Sequence, residues 1–338
     1  IYLVMDTDLA GRSAAQELAR KLGTWRCKDV ILPHKDANEC LLKKSTLEEI
    51  STCMAEAREY SPALLVDAEI LTEEVVRLFI GGNRLKGVPT LWGELDEILG
   101  GWREEELTVW TGRTGAGKST ILNQHTIDII GRDVKVCVAS LEIAAPRYLR
   151  WAVIQATGRP DLMAAEIREA MKRFAGKLYV VNTHESIAPD ALFEIFEYAS
   201  RRYDVKHFIV DSLMRIVLPG KDDLREEKEF VSRLLSFAKK YKVHVHLVAH
   251  PRKASKDKEV PGVVDIKGSG HITDLAHNVL VHWRPTEEDI ERAKAKHKSI
   301  PGGIIYVKKN RELGNIGRVR LTFDERSKTY ADDFDEKE

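Results

Sequence analysis

The chain has 338 residues, 43% hydrophobic and 31% charged, a length and composition that suggest about two soluble globular domains. Its 53 basic and 53 acidic side chains cancel, which excludes a chain that holds nucleic acid by its overall field; such contact needs a local basic patch. No apolar run approaches the roughly 18 residues of a membrane span, no signal peptide opens the sequence, and four scattered cysteines without a C-x-x-C pair read as reduced intracellular thiols.

The opening Ile1-Tyr2-Leu3-Val4-Met5 is a strand with no start methionine, which reads as a piece of a longer protein. Residues 1–60 have the pattern of a small α/β unit: a helix at about 12–22, a strand near 29–32 and a helix near 46–58. Ser61-Pro62 breaks that pattern. Residues 61–87 read as a linker whose stretch 67–80 carries Ile70, Leu71, Val75, Leu78 and Phe79 at helical spacing, ended by Gly81-Gly82-Asn83. That apolar stripe must be buried either on a neighbouring subunit or on its own domain.

From 88 to 330 strands and helices alternate, as in a mostly parallel sheet covered on both faces. Strands are predicted at 107–111, 134–140, 178–182, 207–211, 243–249, 278–283, 303–309 and 318–323. The acidic segment 331–338 reads as a frayed, solvated tail.

Gly112-Arg113-Thr114-Gly115-Ala116-Gly117-Lys118-Ser119 fits G-x-x-x-x-G-K-[ST], between an apolar strand and a helix start at Thr120. A glycine-rich turn lets backbone N–H groups face phosphates, and the helix N-terminus adds its dipole. Lys118 reaches the terminal phosphates and the Ser119 hydroxyl holds Mg²⁺, so the chain is expected to bind a nucleoside triphosphate.

Asp211 ends the strand His207-Phe208-Ile209-Val210 and suits the Mg²⁺ shell. Glu142 follows another strand, either as the base for the attacking water or as an exposed strand-end charge. His250 ends a third, either as a γ-phosphate sensor or as a surface histidine. His244, His246 and His250 share one strand face, without the carboxylate or cysteine that a metal site needs.

The loop 251–270 is long and basic near both ends. Arg252, Lys253 and Lys267 suit the phosphates of a single strand, and Gly268-Ser269-Gly270 offers N–H donors; the alternative is a solvated charged loop. A second loop is expected near 219–229. Lys309 and Arg311 lie at a late strand tip, where a guanidinium can reach a neighbour's γ-phosphate.

The ordered set GRTGAGKS at 112–119, SLE at 140–142, FIVDS at 208–212, VAHPRK at 248–253, IKGSGHITDLAHNVLVHWR at 266–284 and VKKNRELGNIG at 307–317 resembles the ring helicases of the DnaB type. Within them it is most similar to the Twinkle-like and phage primase–helicase branch, over about 67–330. The resemblance implies a RecA-like P-loop core and a ring of six or seven subunits around one DNA strand. ATP or dTTP with Mg²⁺ then sits between neighbours, at Gly112, Thr114 to Thr120 and Asp211. It makes Lys118 and Ser119 the phosphate and Mg²⁺ ligands, Glu142 the base, Asp211 the second metal ligand, His250 the sensor, and Lys309 with Arg311 the pair acting in trans. Helix 67–80 would dock on the adjacent subunit.

The implied activity is unwinding of forked DNA, 5′ to 3′, among replisome proteins and away from membranes, in bacterial or phage-infected cytoplasm or the mitochondrial matrix. Residues 1–60 resemble the end of a TOPRIM unit, with Asp6-Thr7-Asp8 as its D-x-D element. The rival readings are a recombinase filament, a nucleotide-gated scaffold and a P-loop kinase.

Overall fold

The computed structural model describes residues 1–62, 65–80, 87–183, 185–216, 223–250, 270–297 and 299–333. They fall into two compact units, Ile1–Ile80 and Gly81–Glu338.

In the first unit, strand β1 (Tyr2–Val4) leads into helix α1 (Leu9–Leu22). Asp8 starts that helix because its carboxylate accepts from the Gly11 N–H at 2.9 Å. Then come β2 (Lys28–Val30), α2 (Ala37–Leu42), α3 (Leu47–Ala55) and β3 (Arg58–Glu59), with β1 parallel to β2 and β3 antiparallel to it. Thr46 and Glu49 form a reciprocal capping box that fixes the start of α3. The core is small, built on Leu3, Ala19 and Cys27. Helix α4 (Thr72–Ile80) then forms where the apolar spacing predicts it, after one 3₁₀ turn (Ala68–Leu71). Its apolar side chains are exposed, Phe79 by 84% and Ile80 by 80%.

The second unit begins its regular structure with α5 (Gly93–Leu99), β4 (Leu107–Thr111) and α6 (Lys118–Gly131). β5 (Val136–Ser140), α7 (Ala145–Thr157), α8 (Ala164–Phe174) and β6 (Leu178–Val180) follow. Next are α9 (Pro189–Tyr203), β7 (His207–Asp211), α10 (Asp223–Tyr241) and β8 (His244–Val248). The unit closes with α11 (Gly270–Leu275), β9 (Asn278–Trp283), α12 (Glu287–Ala295), β10 (Gly303–Asn310), β11 (Gly317–Asp324) and β12 (Thr329–Asp332).

These strands make one nine-stranded sheet in the order β12-β11-β10-β9-β4-β8-β7-β5-β6. From β9 to β6 every pairing is parallel, while β10, β11 and β12 continue as an antiparallel meander. Because side chains alternate along a strand, each strand feeds two cores. Phe208 and Val210 pack with Phe196, Leu234 and Phe237 on one face; Ile209, Trp110 and Leu280 pack with Ile121, Ile129 and Tyr148 on the other.

Four histidines lie wholly inside the second core. His244 Nδ1–H donates to the Arg103 carbonyl at 2.6 Å and its Nε2 accepts from Thr108 Oγ at 2.9 Å. Trp110 Nε1–H donates to His246 Nδ1, which places the His246 proton on Nε2, 3.4 Å from His207 Nδ1. Each ring therefore has a neutral tautomer chosen by its partner. His125 packs beside Trp102 and His246 with neither ring nitrogen bonded. Burial drives the pKa values of His125 and His207 down to about 3, and those of His244 and His246 well below the ordinary 6.5.

Three expectations change. The segment expected as a loop near 219–229 is helical from Asp223, the start of α10. The acidic tail is engaged at its beginning: Asp332 accepts from the Gly93 N–H at 3.2 Å and Asp333 lies 3.5 Å from Arg320. Strand β12 had no separate signal, because Thr329-Tyr330-Ala331-Asp332 is only four residues long and half polar.

Candidate functional site

The parallel strands β4, β8, β7 and β5 are neighbours, and their carboxyl ends bring the predicted machinery together. β4 ends at Thr111 and turns through residues 112–117 into α6. Gly112 has φ +146°, and a Cβ there would stand 2.2 Å from the His282 carbonyl oxygen on β9. Gly117 has φ +88°, and its Cβ would meet Tyr330 Oη at 2.9 Å. Only glycine serves at these two positions: the first has no room and the second needs the left-handed region. Gly117 is also the residue before the first helical turn, with no side-chain cap, so the N–H groups at the start of α6 keep their donors for a ligand. Thr114 and Gly115 are exposed at the tip, Ala116 is buried, and Ser119 and Thr120 are half-buried.

Lys118 lies within this turn, donating from Nζ to the carbonyls of Gly112 at 2.9 Å and Arg113 at 3.1 Å. Burial lowers its pKa to about 8, against the pull of the Asp211 and Glu142 carboxylates. Asp211, at the end of β7, is 5% exposed. Burial raises its pKa to about 6, opposed by a hydrogen bond from Ser119.

Oδ1 of Asp211 is buried and has no hydrogen-bond partner. An orphaned carboxylate oxygen beside a serine hydroxyl is a hard donor set that fits a small divalent cation completed by phosphate and water oxygens. Among the described residues there is no cluster of three or more His, Cys, Asp or Glu that could hold a metal ion.

Glu142 lies two residues past β5. β5 and β7 pair with Ser140 opposite Asp211, so the segments that follow the two strands leave the sheet side by side. Glu142 Oε1 accepts a hydrogen bond from Ser212 Oγ. His250, two residues past β8, places Nε2 3.3 Å from the same oxygen but without the alignment of a hydrogen bond. Burial and nearby Lys118 lower its pKa, with Glu142 opposing, so the ring is neutral at pH 7. Lys118, Ser119, Asp211, Glu142 and His250 thus form one constellation.

Lys309 and Arg311 lie elsewhere, at the end of β10. Lys309 Nζ donates to the carbonyls of Thr273 at 2.8 Å and Asp274 at 3.0 Å, and Arg311 donates to the Asp274 carbonyl at 3.0 Å. Both cations grip the last turn of α11. Arg252, Lys253, Lys267, Gly268 and Ser269 lie outside the described residues.

Sequence reasoning missed three side chains of the site. Ser212 carried a signal, since it follows Asp211 directly. His282 and Tyr330 carried none, because they belong to β9 and β12 and reach the turn only through the sheet. His282 is buried with both ring nitrogens unbonded and a pKa pushed to about 3, first by burial and then by Lys118. Tyr330 packs edge-on against it at 5.2 Å, with its hydroxyl buried and unbonded.

Residues 87–332 match the family model of the DnaB-like helicase C-terminal domain. Over 98% of its length the chain is 25% identical to the Twinkle homolog protein, chloroplastic/mitochondrial, of Arabidopsis thaliana, covering 50% of it. It is 23% identical to the DNA helicase/primase of Enterobacteria phage T3, over 93% of this chain and 60% of that one. It is 25% identical to the replicative DNA helicase DnaB of Mycoplasma pneumoniae, over 80% of this chain and 62% of that one. The chain therefore spans about half to three-fifths of the length of these relatives.

Among solved structures, a DnaB-like replicative helicase studied with primase superposes with a TM-score of 0.65, at 15% identity over 95% of this chain and 75% of that one. A KaiC-like protein from Pyrococcus horikoshii gives 0.53, at 17% identity over 74% of this chain and 99% of that one. The second unit has the RecA-like ATPase fold.

Proposed function

Because this chain belongs to the DnaB-like helicase C-terminal domain family, we propose that it is the motor of a replicative ring helicase. It couples hydrolysis of a nucleoside triphosphate to movement along single-stranded DNA and unwinding of a fork, 5′ to 3′. The observation that carries the reading is the meeting of Lys118, Ser119, Asp211, Glu142 and His250 at the carboxyl ends of four adjacent parallel strands.

In this reading residues 112–120 cradle the phosphates of ATP or dTTP with their backbone donors, and Lys118 neutralises charge on the terminal phosphates. Ser119 and Asp211 would hold Mg²⁺, which would supply positive charge to the phosphates. Glu142 takes the proton of the attacking water. His250 has a buried, unbonded Nε2 beside that base and senses the γ-phosphate. Lys309 and Arg311 reach the site of the next subunit in a ring of six or seven, with α4 docked on a neighbour through its exposed apolar face. Arg252, Lys253, Lys267, Gly268 and Ser269 follow the DNA backbone.

Residues 1–60 would be the end of a TOPRIM-like unit, with replisome proteins as further partners. No helix among the described residues is long and apolar enough to cross a membrane. Bacterial or phage-infected cytoplasm and the mitochondrial matrix are the compartments in which such a motor works.

The test is strand separation of a forked duplex with a free 5′ tail, with ATP and Mg²⁺, beside Lys118→Ala. Separation by the unaltered chain alone supports the helicase reading. Phosphate release without separation refutes unwinding by this chain and leaves a translocase or recombinase motor.

A further inference from the structure

The base assigned above is a half-exposed carboxylate on a segment past the end of a strand, and such a side chain samples several rotamers unless something holds it. Its holder is in the structure. Ser212 is completely buried, next to Asp211 at the end of β7, and its hydroxyl donates to Glu142 Oε1. The pairing of Ser140 with Asp211 brings the two segments together, so the contact follows from the sheet register rather than from a chance loop conformation. His250 does not do this work: its Nε2 is near the same oxygen but misaligned for hydrogen bonding. The described residues engage Glu142 through Oε1 alone.

We propose that Ser212 is the positioning residue of the hydrolytic base: it anchors Glu142 through Oε1 and leaves Oε2 to take the water proton. The inference rests on Glu142 being that base. In the step served, the water oxygen bonds to the γ-phosphorus. The bond from that phosphorus to the bridging oxygen breaks, its electron pair leaves with the diphosphate, and the water proton passes to Oε2. Ser212 touches neither water nor phosphate. It fixes the direction from which the carboxylate meets the water, a geometric demand that costs rate steeply when relaxed. His250 Nε2 stays free to meet the γ-phosphate without surrendering a bond to the base.

The test is a double-mutant cycle on the full chain with ATP and Mg²⁺, read as phosphate release. Ser212→Ala should lower kcat about tenfold with KM changed by less than about twofold, because substrate binding does not use the hydroxyl. Ser212→Thr, which keeps the hydroxyl, should restore most of the rate. In a Glu142→Gln background Ser212→Ala should cost nothing further, since a residue that acts through another loses its effect when the other is gone.

A tenfold loss that persists in the Glu142→Gln background would show Ser212 acting independently and overturns the proposal, as would an unchanged kcat. Ser212→Cys keeps the volume with only a weak donor and repeats the test should the alanine variant lose its fold. Turnover unaffected by Glu142→Gln alone would instead remove the base assignment, whatever Ser212 does.

Discussion

Lowering the pH from 7.5 to 5.5 should destabilise the larger unit through its buried histidines. His125, His207, His244, His246 and His282 are each at most 1–2% exposed. The pKa values of three lie at about 3 and of two well below 6.5, with burial the first cause in every case. In the unfolded chain they return to about 6.5. The folded pKa is depressed, so the unfolded state binds more protons as pH falls through 6.5. Stability is complete above that value and declines down to the folded pKa. Between pH 7.5 and 5.5 a histidine with a folded pKa near 3 costs roughly 1 kcal/mol, so His125, His207 and His282 together cost on the order of 4; His244 and His246 act in the same direction, and Asp211, raised to about 6, opposes them.

A domain has only about 5–15 kcal/mol to lose, so the urea midpoint should fall measurably across this interval. The assay is urea unfolding of the nucleotide-free chain at half-unit steps of pH, followed by circular dichroism and tryptophan fluorescence, since Trp92, Trp102 and Trp110 lie in this core. His125→Phe keeps the ring, removes two unbonded nitrogens and one proton site, and should reduce the loss over the whole interval by roughly 1 kcal/mol. A total change below about 1 kcal/mol over the interval, one histidine's worth, would refute the packing of neutral rings described above.

Two further predictions concern the phosphate turn and the late strand. Gly117→Ala should lose nucleotide binding and about 1–3 kcal/mol of stability, because φ +88° and a hydroxyl 2.9 Å from the new Cβ both oppose it. Adding Tyr330→Phe, which deletes that hydroxyl, should recover part of the stability in calorimetry; an additive result would place the strain elsewhere. Arg311→Ala should keep nucleotide binding and reduce hydrolysis by about a thousandfold. Mixing it with Lys118→Ala should restore phosphate release at mixed interfaces, and mixtures no more active than their parts would assign Arg311 to its own subunit.

What was legible in the sequence follows the range of the interactions involved. The turn 112–119 is a contiguous signal because its glycines, Lys118 and Ser119 are adjacent in the chain. Asp211 and Glu142 were legible because each follows an apolar strand that parallel topology aims at one edge. Ser212 needed the pairing register of β5 and β7, which no residue pattern states. His282 and Tyr330 needed the sheet order itself. The shared face of His244 and His246 was legible from their alternation, while its use as a hydrogen-bonded core was not. The start of α10 was masked by Asp222-Asp223 and the nearby Pro219-Gly220, which read as a turn although 223–241 is helical.

The contact of β12 with the phosphate turn has a consequence for how the chain is made. Gln124 in α6 exchanges hydrogen bonds with the backbone of Tyr330, 206 residues later, and the Tyr330 ring packs where Gly117 has no side chain. A ribosome emits the phosphate turn long before the strand that backs it. Throughout that interval the growing polypeptide carries the glycine-rich turn without its rear wall. Closure depends on contacts of high sequence separation, which form slowly. Closure of the turn thus waits for a strand made 206 residues after the helix it backs.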